Sequence, residues 1–330
     1  MSLVNFTEIT VKSTARLHMG FFDLHGGLGR KFGGIGLSLS SPSQVLTARL
    51  SDTLQVSGKS SSRALAIAQQ LLEFFNITRA VEIEIAQIIP EHAGLGSGTQ
   101  LALAIGTAIN LLHELNLTTA QIAQLTGRGG RSGIGIAAFD YGGLLVDGGR
   151  SAEIAGSTKA DLKIPPLLAR YSFPEDWRVL LILDESQSGI HGEEERIAFK
   201  HLPMFPENLA AHLCRHVLMQ AMPAMVERDL TAFGVAIQAL QSHVGDYFAP
   251  AQGGRYASPN VAEVLKHLEY LGIACFGQSS WGPTGFAVFE NDIQAEACLQ
   301  ELKLTFKNNS LKWMICSGRN DGAEVTTNNI

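Results

Sequence analysis

The sequence predicts an α+β fold, and three stretches carry that prediction. Over residues 80–89, Val81, Ile83 and Ile85 alternate with Glu82 and Glu84, the period of a strand with one buried and one wet face. Behind a glycine-rich segment, Leu101, Ile105, Ala108, Leu112 and Leu115 recur at helical spacing. In the last third, a helix from Ser258-Pro259, two short strands within 273–289, a helix over 291–302 and a strand over 312–316 follow in turn. That series is the pattern of a small split βαβ unit.

Taken in order, residues 4–12 read as an opening strand. Residues 13–36 are dense in glycine around Arg16, His18, Asp23, His25, Arg30 and Lys31, and read as a loop or hairpin presenting polar groups. A strand over 43–50 precedes a helix from Arg63 to Phe75, with Leu65, Ala68, Leu72 and Phe75 along one side. A short helix capped by Thr118 or Thr119 comes after the central one. An apolar strand ends at Asp147, and a proline-containing connection over 151–177 includes an expected helix at 160–169. Residues 178–184 read as a core strand, and from Glu207 the chain is mainly helical. Val226, Leu230, Phe233, Ile237, Leu240 and Val244 trace one buried stripe there, and residues 321–330 read as a frayed tail. The expected division is a first domain over 1–165 and a second over 166–330.

With 330 residues, 45% of them hydrophobic and 17% charged, the chain has ample material for two packed domains and too little charge for disorder. A net charge of −6 provides no general field for nucleic acid or anionic membrane, so neither is an expected partner. Cys214, Cys275, Cys298 and Cys316 stand far apart, and the start lacks the pattern of an export signal, so a cytoplasmic protein with reduced thiols is expected. His212 and His216 share a helical face but Cys214 points elsewhere, which argues against zinc.

The chemistry gathers at glycine. In Gly94-Leu95-Gly96-Ser97-Gly98-Thr99, three glycines open the central helix, an arrangement that presents backbone N–H groups to phosphate or forms a plain turn before a core helix. Arg128 and Arg131, in a second glycine-dense stretch over 127–135, offer guanidinium forks to phosphate oxygens or stand as exposed arginines. Asp147, followed by two glycines, either faces a cleft or starts a turn. His191 precedes Glu193, Glu194 and Glu195, which suit a hard cation, a substrate amine, or the solvated first turn of a helix. The phosphate-loop pattern of the Walker type is absent, as are the hydrolase elbow and the zinc-binding His-Glu-x-x-His.

Three motifs in order, Ala15-Arg16-Leu17-His18-Met19-Gly20, Pro90 to Thr99 and Gly277 to Gly285, resemble those of the GHMP kinase superfamily. The resemblance spans nearly the whole chain and implies a left-handed βαβ N-terminal domain, a ferredoxin-like C-terminal domain and a ligand between them. Two departures stand out. Gly98 replaces the second serine usual in the kinases, and Ser279-Ser280-Trp281-Gly282-Pro283 replaces their flexible third loop. Together with Arg131 to Gly135, Val146 to Gly149 and His191 to Glu195, these look like the β-ribofuranosylaminobenzene 5′-phosphate synthase branch.

That resemblance implies condensation of phosphoribosyl pyrophosphate with 4-aminobenzoate, releasing pyrophosphate and carbon dioxide, with Mg²⁺, no organic cofactor and a homodimer. It implies pyrophosphate or phosphate binding at residues 94–99 with Arg16, Arg128 and Arg131. It further implies catalytic or metal-binding roles for Asp147, Glu193 and Glu194, and substrate contacts from His18, His191, Ser280, Trp281 and Gly282. The competing expectations are an ATP-dependent small-molecule kinase of the same superfamily and a non-catalytic phosphometabolite-binding protein.

Overall fold

The structure is a computed structural model and describes residues 6–151, 163–190 and 192–329. Its first sheet is built on a long antiparallel pair, β1 (Phe6–Asp23) and β3 (Gly33–Ser51), with β2 (Arg30–Lys31) between them in sequence. The polar stretch over 13–36 is therefore mostly strand. Ala15, Leu17 and Met19 are buried at alternate positions, which puts Arg16 on the other face. Register shifts at Thr14/Arg16 and His18/Gly20 bracket this segment, and such bulges re-aim side chains at functional edges.

β4 (Gln55–Gly58) and β5 (Ala80–Gln87) extend the sheet, with α1 (Ser61–Phe74) between them. The central helix, α2 (Ser97–Leu112), is buried almost all round, which its Leu, Ile and Ala residues permit. Gly106 lets α3 (Thr119–Leu125) pack close, because a Cβ there would lie 2.1 Å from Ile122 Cγ2. A capping box between Thr118 and Gln121 starts α3, so Thr118 is the one of the two expected caps that is used. After α4 (Ile134–Asp140), strand β6 (Leu144–Asp147) returns beside β3, and β7 (Arg150–Ser151) pairs with β2.

Two expectations need correction here. Residues 167–171 form strand β8 (Leu167–Tyr171) against β6, where pairing overrides the helical propensity of Leu-Leu-Ala; the rest of that expected helix, up to residue 162, lies outside the described residues. The expected frayed tail contains β13 (Glu324–Asn329), which pairs with β1. Both strands follow residue 165 in sequence yet belong to the first sheet.

The second sheet is antiparallel, in the order β10 (Cys275–Gln278), β11 (Gly285–Phe289), β9 (Arg178–Asp184), β12 (Leu311–Cys316). Helices α9 (Pro259–Tyr270) and α10 (Asp292–Thr305) pack on it through Val261, Val264, Leu265, Leu299 and Leu302. Between strand β9 and the helical layer, α5 (Gly192–His201), α6 (Glu207–His216) and α7 (Met222–Glu227) lead into the long α8 (Leu230–Gln252). Helix α8 staples the two sheets together. Its buried Gln241 donates to Met19 O of β1 at 2.6 Å and Gln278 O at 3.0 Å, and accepts from Gln278 N at 2.8 Å. Gly277 makes room, since a Cβ there would meet Gln241 Cδ at 2.3 Å. Replacing Gln241 by an apolar residue would leave buried backbone groups of both sheets unpaired.

Candidate functional site

Helix α2 begins at Ser97, so residues 97–100 are its first turn. Gly94 and Gly96 sit at φ 78° and 83°, left-handed conformations that glycine adopts without strain, and no side chain caps the helix. Its leading N–H groups therefore point out of the helix, towards any anion lodged there.

The turn between β10 and β11 is seated directly on this loop. A Cβ on Gly282 would lie 2.4 Å from both Ala93 O and Gly94 N, and one on Gly189 would lie 2.7 Å from Gly282 Cα. Ser279 Oγ donates to Gly94 O at 2.9 Å, Ser280 N to His18 O at 3.0 Å, and Ile190 N to Trp281 O at 3.2 Å. Backbone approaching backbone at this distance explains why residues 94, 189 and 282 are all glycine.

Guanidinium groups approach the loop from two sides. On one, Arg16 of β1 donates from Nη1 to Gly94 O at 2.5 Å, and the missing side chain of Gly96 leaves space for its guanidinium. Burial lowers its pKa to about 10, against the pull of Glu195, so it stays cationic at neutral pH. Arg131 forms an ion pair with Glu195 and lies 5.2 Å from the Phe199 ring centroid. On the other side stand Arg63 and Arg128; burial and the neighbouring Arg63 charge lower Arg128 to about 10. A Cβ on Gly98 would lie 2.2 Å from Arg63 Nη2.

An aromatic wall continues from the Arg131 side. Phe199 meets Phe32 at 5.4 Å and Trp281 at 5.5 Å, while Trp281 packs on Phe248 at 4.2 Å. Lys31 and Arg150 each stand 5.4 Å from the Phe32 ring centroid. Trp281 is buried, and its Nε1 has no hydrogen-bond partner. His18 is also buried, against Phe21 at 4.5 Å, with Nε2 unpartnered. Burial and the Arg16 charge push His18 down to about 3, so it is neutral in the physiological range.

Residues 61–143 match the GHMP kinases N terminal domain and residues 221–308 the GHMP kinases C terminal domain. The β-ribofuranosylphenol 5′-phosphate synthase of Archaeoglobus fulgidus is 36% identical over 325 residues, covering 96% of this chain and 99% of that protein. The synthase of the same name from Methanocaldococcus jannaschii is 36% identical over 309 residues, covering 87% and 91%. The chain belongs to the β-ribofuranosylphenol 5′-phosphate synthase family, within the GHMP kinase superfamily. Solved structures share its fold: homoserine kinase from Cytophaga hutchinsonii has a TM-score of 0.67 at 17% identity, over 99% of both chains. Mevalonate diphosphate decarboxylase from Staphylococcus aureus has 0.65 at 15%, over 97% of this chain and 98% of that one. The two-domain α+β architecture implied by the motifs is thus the one observed.

Within this synthase-family site, Asp147 is buried and committed to its own loop. It accepts from Ser132 Oγ and Gly133 N on Oδ2 and from Gly149 N on Oδ1, each at 2.8 Å. Burial raises its pKa to about 6 despite these bonds. Its geometry anchors the segment next to Arg131. Glu194 is exposed on α5 and lines an open cleft with Ile197, His201 and Pro250. His191 and the Glu193 side chain lie outside the described residues. Arg30, one of the polar groups expected on a loop or hairpin, clamps Gly148 O at 2.8 Å and Gly149 O at 2.6 Å.

Phe199 and Arg63 were missed by sequence reasoning as site residues, and Glu195, expected to face a cation or a substrate amine, pairs with Arg131 instead. Four-residue spacing on α5 puts Glu195 and Phe199 on one face, a usable signal; Arg63 has none.

One solved structure of this fold, MDDEF in complex with MVAPP, AMPPCP and magnesium, holds that ion. Among the described residues no cluster of three or more acidic, histidine or cysteine side chains is set to hold a metal, and the lone pairs of Asp147 already accept from its loop. Mg²⁺ fits such a site as the companion of a diphosphate, since this ion keeps several waters and substrate oxygens in its shell. Among the described residues, no helix is long and apolar enough to cross a membrane.

Proposed function

We propose that this chain is a decarboxylating phosphoribosyltransferase that joins phosphoribosyl pyrophosphate to 4-aminobenzoate. The bond from the ribose anomeric carbon to the diphosphate oxygen breaks, and the diphosphate leaves with the electron pair. The ring carbon bearing the carboxylate forms the new carbon–carbon bond. Loss of that carboxylate as carbon dioxide returns the electrons to the ring, so no external acid, base or redox partner is consumed.

The observation that carries this reading is the junction at Arg131 and Phe199. There Arg131, paired with Glu195, lies over the Phe199 ring of an aromatic wall that runs on to Trp281, whose own turn is seated on the glycine loop. In the transition state the departing diphosphate gains negative charge. The first-turn N–H groups of α2 with Arg16 and Arg131 stabilise it without reorganising. The wall supplies an apolar surface for the benzoate ring. Glu195 holds Arg131 in place, and Asp147 holds the backbone beside it. Neutral His18 adds no charge to the pocket. Ser280 and Gly282 act through the backbone turn that seats Trp281 over the loop. Mg²⁺, when bound to the diphosphate, neutralises part of its charge; no role above depends on it.

The test incubates the full chain with phosphoribosyl pyrophosphate, Mg²⁺ and carboxyl-labelled 4-aminobenzoate. Labelled carbon dioxide in step with pyrophosphate is the expected result; none from folded protein removes the reading. The related synthases are named for a ribofuranosylphenol, so 4-hydroxybenzoate is the second acceptor arm. A homodimer is part of the proposal, and light scattering at twice the 35.4 kDa chain mass is its readout.

A further inference from the structure

Arg63 lies in the first turn of α1, thirty-five positions before the glycine it touches. Its Nη2 occupies the space in which a side chain at position 98 would stand, 2.2 Å from where that Cβ would be. Its Nη1 is 3.4 Å from Glu91 Oε1, a long and partly exposed contact that leaves the other nitrogen turned over the loop. Arg128 comes to the same place from the 127–135 segment, near enough for the two cations to disfavour each other, and its Nε is buried with no partner.

Two guanidinium groups that repel, one of them half-buried with its Nε unpartnered, are held at a helix N-terminus that itself carries partial positive charge. Such an arrangement is stable when an anion lies between its members. The Arg16–Arg131 side of the loop is already shared with Glu195.

We propose that Arg63 and Arg128, with the first turn of α2, form a second phosphate-binding subsite, and that residue 98 is glycine because the Arg63 guanidinium fills the place of its side chain. A substrate with two phosphorylated ends then meets two separate cationic pairs, one on each side of the glycine loop. This rests on the synthase reading for the identity of the substrate, but phosphate binding at the pair does not. A serine at this position, as in the kinases, would push the Arg63 guanidinium aside.

Calorimetric titration of the full chain with inorganic pyrophosphate and, separately, with ribose 5-phosphate identifies which end the pair takes. Arg63→Gln and Arg128→Gln are each expected to weaken one of the two ligands about tenfold or more, and the other less than twofold. Gly98→Ser should cause the same selective loss by expelling the guanidinium, while Arg63→Lys recovers part of the affinity. Glu91→Gln should bind as tightly as wild type or more tightly. Circular dichroism checks that each variant is folded. Wild-type affinity for both ligands in Arg63→Gln and Arg128→Gln overturns the subsite, as does a wild-type chain that binds neither. Pyrophosphate binding without carbon dioxide release removes the synthase reading and leaves the subsite standing. Carbon dioxide release with unaltered binding in the variants removes the subsite alone.

Discussion

Gly282→Ala adds one methyl group where the β10–β11 turn rests on the glycine loop. The new Cβ would lie 2.4 Å from Ala93 O, Gly94 Cα and Gly94 N, all backbone atoms that cannot rotate away. Ordinary carbon contacts begin near 3.5 Å, so the turn must retreat by about 1 Å. That retreat stretches the Ser279 Oγ to Gly94 O bond from 2.9 Å and the Ile190 N to Trp281 O bond from 3.2 Å beyond useful length. At about 1 kcal/mol net for each, stability falls by about 2 kcal/mol, or roughly 3 °C in melting temperature for a chain of this length. The larger effect is on rate. An ångström of misplacement at a site that relies on orientation costs about a hundredfold. Carbon dioxide release and thermal melting are measured side by side, with Gly254→Ala as control, because a Cβ there meets only Tyr256 O at 3.6 Å. Wild-type turnover in Gly282→Ala would refute the seating of the turn on the loop.

Three further outcomes are expected. Trp281→Ala removes a buried indole that touches Phe199 and Phe248, and should cost about 3–5 kcal/mol in denaturant unfolding while raising KM for the aromatic acceptor. Arg131→Ala should lower kcat/KM for phosphoribosyl pyrophosphate by about a hundredfold, whereas Glu195→Gln, which only positions Arg131, should lower it less. Asp147 and His18 should act on stability with opposite signs. The native state holds Asp147 protonated up to about pH 6, above the ordinary carboxylate value, so stability falls as pH rises from about 4 to 6. His18 resists protonation down to about pH 3, so its contribution is lost as pH falls from about 6.5. Unfolding of Asp147→Asn and His18→Asn across pH 4–7 separates the two slopes.

The legible parts of the chain were those whose signals are local. Alternation of Val81, Ile83 and Ile85 and the apolar repeat behind Gly98 marked β5 and α2, because burial of one face imposes those periods. Thr118 and Ser258 marked helix starts through their own hydrogen bonds. Residues 324–329 were not legible as a strand: β13 is largely exposed and polar, and it exists because β1 offers it a partner. Leu167 and Leu168 favour a helix in isolation and are claimed by β6 instead. At the site, the glycines at 94 and 96 marked a loop that could receive phosphate, but not the β10–β11 turn that packs on it. Arg63 meets Gly98 across thirty-five residues, and Asp147 turned inward to its own loop. Neither fact leaves a trace in spacing.

The central claim is that the glycine loop stabilises a departing diphosphate and takes no part in phosphoryl transfer. The most direct measurement is a product balance on one preparation of the full chain, supplied in parallel with phosphoribosyl pyrophosphate plus carboxyl-labelled 4-aminobenzoate and with ATP plus small alcohols. Carbon dioxide and pyrophosphate released one for one, with no ADP formed in the second arm, is the predicted result. ADP formation with an alcohol and no carbon dioxide would contradict it.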